Sequence, residues 1–452
     1  MKIRKIHPYI QIILTFVVVV LVGAFLLMLP ISTQARDSMG FVDSLFTSTS
    51  CVCVTGLTVI DVSLRLSVFG KIVMVVLMEI GGLSFITIAI FFFIVIGGRI
   101  GVSNRFMLRE ALNQTTVNNI SSLVVKIMII SATVQIIGAA INMFPIMEMY
   151  DNDFWRSLGV SLYHSAASFN NAGFDIFGPS SMIEYKDNII LNCTTMGMII
   201  IGGIGFVVID DIFRNKRWKK FNLHTKITLV TTFILIFGGM LLIKLTCWEG
   251  MSWLQALFSS VTSRTAGFTT YDMSDLKNHP ATYVIIVVLM IIGASSCSTG
   301  GGIKTSTCAV IMLTVFYFAK GEKTKVFERR LSGEQKFKAF TLLSIAVLII
   351  IIGVFLVAAF QPGLTEDGFG IGEIVFEVAS AFSTTGLTMG LTPFLNPANR
   401  VLLCLIMLMG RLGPLTVIGV INKNWMASSK ESIKYVKENV IIGWKRHLWL
   451  LA

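Results

Sequence analysis

The sequence predicts an all-α polytopic membrane protein with four pseudo-repeated span–pore-helix–span units around one pore. Three observations predict it. Of the 452 residues, 54% are hydrophobic and 14% charged, with a mean hydropathy of +0.78, too apolar for a water-soluble chain of this length. Apolar runs at 10–29, 68–97, 121–146, 188–213, 225–246, 281–318, 338–360 and 399–422 match or exceed the roughly 20 residues that cross a hydrocarbon core. Finally, a stretch of small and hydroxyl residues runs four times into a glycine followed by Leu or Phe: Val54-Thr55-Gly56-Leu57, Asn171-Ala172-Gly173-Phe174, Thr265-Ala266-Gly267-Phe268 and Thr384-Thr385-Gly386-Leu387.

About one span after each glycine comes a second small-residue mark: Gly81-Gly82, Gly202-Gly203, Gly293-Ala294 and Gly410-Arg411. A fourfold repeat of this kind inside a membrane suggests equivalent loops around one axis. Rings of backbone carbonyls are how proteins replace the water around an alkali cation, so the chain reads as a cation pathway.

The units are 1–119 with an N-terminal tail, 120–223, 224–336 and 337–422, followed by a C-terminal tail, 423–452. Each reads as a span, a half-helix, a turn at the glycine and a second span. The half-helices, near 38–50, 153–168, 251–263 and 370–382, are too short to cross. Descending from the outer face, each aims its partially negative C-terminal end at the membrane centre, which favours a cation. Irregular backbone at that depth must be sheltered by protein or line a watery cavity. Glycine permits the backbone angles that turn successive carbonyls toward an axis. The pairs Gly81-Gly82 and Gly202-Gly203 fit close approach of the following spans.

The net charge of +12 does not require nucleic acid. Basic residues such as Arg214, Lys216, Arg217, Lys219 and Lys220 gather in the loops near 97–119, 214–226 and 319–338 and in both tails. The positive-inside rule then places both termini in the cytoplasm. The start resembles a signal peptide, but 10–29 is a full span without a small-x-small cleavage site, so it reads as a retained first span. The seven cysteines are scattered without a CxxC and read as small core residues rather than a disulfide or metal framework.

The sixth run is too long for one unbroken helix. Small and hydroxyl residues interrupt it at 293–307, and Gly300, Gly301 and Gly302 each cost a helix about 1 kcal/mol relative to Ala. A polar loop at that depth, just beyond the third glycine turn, is predicted to obstruct the path as a gate. It is not a nucleotide loop, because Ile303 separates Gly302 from Lys304 and no strand precedes it. Lys304 and Arg411 are cations where charge is costly. They would repel an ion, anchor the gate through backbone carbonyls, or pair with an acid such as Glu79 or Asp210. Arg264 is predicted to brace the third turn, and His164 to be a satisfied polar residue of its half-helix.

Together these features resemble the superfamily of K⁺ transporters that includes Trk, Ktr and plant HKT proteins, and within it the bacterial Ktr branch. The resemblance covers nearly the whole chain: four units, the VTGL and TAGF turns, the Gly-rich break, the MGRLGP sequence, and no extra N-terminal pair of spans. It implies K⁺ uptake across a bacterial cell membrane by a homodimer with a pore in each protomer, surrounded by membrane lipids. It also implies a cytoplasmic ring of KtrA-like nucleotide-binding regulatory subunits, with no nucleotide held by this chain. Carried over residue by residue, it implies a K⁺ filter at Val54, Thr55, Gly56, Asn171, Ala172, Gly173, Thr265, Ala266, Gly267, Thr384, Thr385 and Gly386. The implied gate comprises Gly300, Gly301, Gly302, Lys304 and Arg411.

In many Na⁺-selective HKT relatives a Ser replaces the first of these glycines; all four are Gly here, which favours K⁺. Na⁺ dependence, a Na⁺-selective channel and a K⁺/H⁺ symporter share the architecture and stay open as alternatives. With no HExxH, paired catalytic carboxylates or nucleophile elbow, an enzyme is not expected.

Overall fold

The computed structural model describes residues 8–96, 120–178, 181–365 and 368–413. The first unit contains α1 (Pro8–Met28), the short α2 (Phe41–Cys53), α3 (Val62–Arg65), α4 (Val68–Leu83) and α5 (Phe85–Val95). The second contains α6 (Ile120–Met149), short α7 (Phe154–Phe169), α8 (Ile189–Ile204) and α9 (Phe206–Asn215). The third contains α10 (Leu223–Thr246), short α11 (Trp253–Thr262), α12 (Pro280–Ile291) and α13 (Thr305–Ala319). A two-stranded hairpin, β1 (Lys325–Val326) paired antiparallel with β2 (Arg329–Arg330), leads into the fourth. That unit contains α14 (Gly333–Phe360), short α15 (Ile371–Ser383) and α16 (Pro397–Leu412).

Local chemistry fixes the helix starts. Asp153 caps α7 by accepting from Arg156 N at 3.1 Å, and Asn188 caps α8 by accepting from Leu191 N at 3.0 Å. Ser252 and Gln255 form a reciprocal capping box on α11, satisfying two otherwise orphaned donors. The hydroxyl-rich α2 is buried because its side chains find carbonyls. Thr47 donates to Asp43 O, Thr49 to Leu45 O, and Ser48 to Val20 O on α1 at 2.8 Å.

The long helices turn large apolar side chains outward, among them Phe25, Phe144, Phe233, Leu245 and Phe355, all more than 60% exposed. Such a surface suits lipid rather than water. Among the described residues, α1, α6, α10 and α14 are long and apolar enough to cross a membrane unbroken.

Two expected spans, 68–97 and 188–213, are bent rather than straight. The axes turn by 95° between α4 and α5 and by 92° between α8 and α9. The pivots are Ser84, φ 71°, and Gly205, φ 99°. The third unit breaks more deeply, between α12 and α13, as expected. α16 ends at Gly413, φ 82°. All four second spans therefore leave α-helical geometry at corresponding places, where the sequence reading anticipated only one break.

The units close into a circle because each second span packs on the next unit's short helix: α4 on α7, α8 on α11, α12 on α15, and α16 back on α2. With no hydrophobic drive between helices in lipid, such contacts depend on close van der Waals fit, which small residues permit. The glycine pairs supply it, though not as expected. A Cβ on Gly81 would strike the Val52 carbonyl, one on Gly202 the Phe169 carbonyl, and one on Gly410 the Phe382 carbonyl. These glycines cradle the C-terminal ends of short helices rather than bringing neighbouring spans together.

Candidate functional site

At the centre the four glycine turns meet. The first residues of the turns are left-handed: Val54 at φ 58°, Asn171 at 58°, Thr265 at 88° and Thr384 at 52°. Two residues later, Gly56, Gly173, Gly267 and Gly386 again have positive φ, at 98°, 68°, 84° and 87°. Left-handed geometry at the first position costs a non-glycine residue roughly 1–2 kcal/mol. Backbone N–H donors hold it, through carbonyl and hydroxyl acceptors on the short helices. Thr55 N donates to Ser50 O at 2.8 Å and Gly56 N to Ser50 Oγ at 3.1 Å. In the fourth unit, Thr385 N and Gly386 N do the same with Ser380, at 2.9 and 3.0 Å.

The turns touch in cyclic order. A Cβ on Gly56 would lie 2.7 Å from Ala172 O, one on Gly173 2.6 Å from Ala266 O, and one on Gly267 2.5 Å from Thr385 O. One on Gly386 would strike Thr55 O, closing the circle. Any side chain at these four positions would push into a neighbouring turn. Thus all twelve predicted filter residues lie in one closed ring.

The short helices end at this ring, presenting carbonyl-rich C-termini that favour a cation. Asn170, the C-cap of α7, donates to Glu79 Oε1 at 2.8 Å, so that carboxylate is engaged behind the second turn. His164 is only half satisfied, against expectation: its Nε2 meets Thr195 Oγ1 at 2.8 Å and Ser168 Oγ at 3.4 Å, but its Nδ1 is buried without a partner. Arg264 departs from expectation: its side chain makes no hydrogen bond to the third turn, and its Nε is buried without a partner. None of the seven cysteines is joined in a disulfide.

Beneath the ring lies the segment between α12 and α13. Its neck is closed by a bridge between Ile292 and Ile303, with Ile303 N donating to Ile291 O at 3.2 Å. Its tip presses on the ring: Gly301 N donates to Thr384 Oγ1 at 3.1 Å, and a Cβ on Gly300 would strike Thr265 Oγ1. One flank is tied to the second unit. Ser295 N donates to Gly203 O at 3.0 Å, Thr299 N to Gly202 O at 3.2 Å, and Phe206 N to Cys297 O at 2.8 Å.

Both half-buried cations, Lys304 and Arg411, serve this loop. Lys304 Nζ donates to Gly300 O at 2.7 Å. Arg411 Nη1 donates to Thr299 O, and its Nη2 to Gly81 O at 2.5 Å and Gly82 O at 3.2 Å. Of the three predicted roles, anchoring through carbonyls is the geometry seen. The acids suggested as partners are occupied elsewhere, Glu79 by Asn170 and Asp210 by Lys126 at 2.5 Å and Arg214 at 3.6 Å.

Thr299 was not singled out from the sequence, yet it is the loop's junction. It accepts from Arg411, and its hydroxyl donates to Phe169 O at 3.3 Å. Its position immediately before three glycines was the available signal.

Comparison with known proteins agrees with this geometry. A family model described as "TrkH: Cation transport protein" matches residues 1–430. Over 95% of both chains, the sequence is 36% identical to the Ktr system potassium uptake protein B of Bacillus subtilis. It is 33% identical to the potassium/sodium uptake protein NtpJ of Enterococcus hirae, over 97% of this chain and 98% of that one. The crystal structure of the potassium transporter TrkH from Vibrio parahaemolyticus shares the fold with a TM-score of 0.70 at 20% identity, over 94% of this chain and 87% of that one. The chain belongs to the TrkH family of cation transport proteins.

Proposed function

We propose that the protein takes up K⁺ across a bacterial cell membrane through the ring of four glycine turns, with the loop at 293–307 as its gate. The single observation that carries this reading is the cyclic closure of the four turns, which leaves no room for a Cβ at any of the four glycines. Carbonyl-lined rings of this kind substitute for an alkali cation's hydration shell. The loop tip presses against two of the four turns and lies where it would obstruct a cation leaving the ring inward. Arg411 and Lys304 hold it there through carbonyls.

The relatives' names support the choice of ion, since one is named for potassium uptake and another for potassium and sodium. The second name makes Na⁺ the alternative or companion ion. The Ktr relative is one component of a system, which supports regulation by a cytoplasmic KtrA-like nucleotide-binding ring acting on a homodimer of this chain. The proposed filter is Val54 to Gly56, Asn171 to Gly173, Thr265 to Gly267 and Thr384 to Gly386. Reading the four units as 1–119, 120–223, 224–336 and 337–422 follows from the same repeat, with both termini inside. The tail 423–452 lies outside the described residues.

Growth of a K⁺-uptake-deficient bacterium at low K⁺ tests the proposal. Rescue by the wild-type chain, and its loss with G386S at equal membrane abundance, are expected. Absence of rescue by the wild-type chain co-expressed with a regulatory ring would contradict it.

A further inference from the structure

Glu377, on α15, is 1% exposed, and none of the ion pairs among the described residues includes it. A carboxylate buried without a counter-charge is costly unless hydrogen bonds satisfy both of its oxygens. Both donors here come from the segment that leaves the fourth glycine turn. Thr388 Oγ1 donates to Glu377 Oε2 at 3.0 Å, and Thr392 Oγ1 donates to Oε1. Thr388 Oγ1 in turn accepts from Gly390 N at 3.0 Å. Three residues further along the same helix face, Ser380 Oγ accepts from Gly386 N at 3.0 Å. One face of α15 therefore grips the chain at Gly386, Thr388 and Thr392, and the burial of the carboxylate and the position of that segment depend on each other.

The seventh residue of each other short helix is built differently: Thr47 in α2, Val160 in α7 and Ser259 in α11. The Thr47 hydroxyl donates within its own helix to Asp43 O, that of Ser259 to Met251 Sδ, and Val160 is apolar. The consequence lies at Gly386. A Cβ there would strike Thr55 O of the first turn, so the position of this segment sets how closely the fourth and first turns meet. We propose that Glu377 is a positioning residue for ion selectivity: through Thr388 and Thr392 it holds the fourth turn against the first, and so fixes the spacing of the carbonyls that a cation meets in the ring. The inference rests on the reading of the ring as a K⁺ filter, since only an ion held there senses that spacing.

The test measures K⁺ and Na⁺ uptake into proteoliposomes by the full-length wild type, G386S, E377L, E377Q and T388V, normalised to reconstituted protein, with melting temperatures alongside. E377L loses both contacts and should lower the K⁺/Na⁺ uptake ratio by roughly tenfold, the scale of one hydrogen bond to a charged group. T388V removes one donor and should lower the ratio less. E377Q, whose amide oxygen accepts from Thr392 and whose nitrogen donates to Thr388, should stay near the wild type. If E377L does not fold, T388V against E377Q decides the matter. A ratio that G386S shifts but E377L and T388V leave unchanged, whatever their melting temperatures, would overturn the proposal and leave Glu377 a purely structural role. E377Q falling as far as E377L would also overturn it, by assigning the effect to charge rather than to position. A wild type with no preference for K⁺ would instead overturn the filter reading itself, and this inference with it.

Discussion

Arg411 Nη2 lies 2.5 Å from the Gly81 carbonyl oxygen, so α16 of the fourth unit is joined to the second span of the first. The other guanidinium nitrogen donates to Thr299 O in the third unit's loop, and Thr299 Oγ1 donates to Phe169 O in the second. One side chain thus links three units directly and a fourth through Thr299. The loop's position depends on that linkage.

R411A removes these donors. A hydrogen bond from a charged group contributes about 1.5–3 kcal/mol, so even one lost anchor should shift the loop's equilibrium by tenfold or more. K⁺ uptake by R411A, or by a chain lacking part of Ser295 to Lys304, should rise by about that factor and depend less on any cytoplasmic partner. Radiotracer uptake normalised to membrane abundance checks this. A folded variant with reduced uptake would show that the loop is packing material and not an obstruction.

The cradle glycines give a contrast within one helix. G202A drives a Cβ into the Phe169 carbonyl, whereas a Cβ on Gly197 meets nothing within 4 Å. G202A should destabilise the protein by roughly 2 kcal/mol or more, the usual scale for overpacking. G197A should be neutral or slightly stabilising, because Ala is the better helix former. Melting temperatures in detergent separate the two, and similar values for both variants would contradict the cradle.

The ring glycines should respond differently. G56S and G386S each place a side chain against a neighbouring turn and force a non-glycine residue into positive φ. Both should lower the K⁺/Na⁺ uptake ratio by about tenfold or more, on the scale of one to two strained contacts. Competition assays with both ions measure it. An unchanged ratio at full abundance would remove the glycines from selectivity.

Much of this was legible in the sequence for a physical reason. Positive φ selects Gly at 56, 173, 267 and 386, and the four short helices end at the turns those residues make. The Gly300 to Gly302 run likewise announced the break between α12 and α13. The bends at Ser84 and Gly205 were not anticipated, because each sits in an apolar run whose hydropathy stays continuous through the pivot. Gly205 falls two residues after Gly203, and that spacing was the only hint. The glycine pairs were recognised as packing residues, but their partners, carbonyls of Val52 and Phe169, are distant in sequence and set by the circular closure. Arg264 was read as a brace since it adjoins Thr265. The direction of a long side chain is decided by the cavity around it, which no linear pattern records.

The four turns are proposed to conduct K⁺ in preference to Na⁺. The most direct measurement is ion uptake into proteoliposomes containing the purified chain with its regulatory ring, driven by a defined membrane potential and assayed for each ion separately and in competition. Saturable K⁺ uptake that Na⁺ does not displace at equal concentration is expected, with the preference diminished in G386S. Equal uptake of both ions by the wild-type protein, or a ratio that G386S leaves untouched, would contradict it.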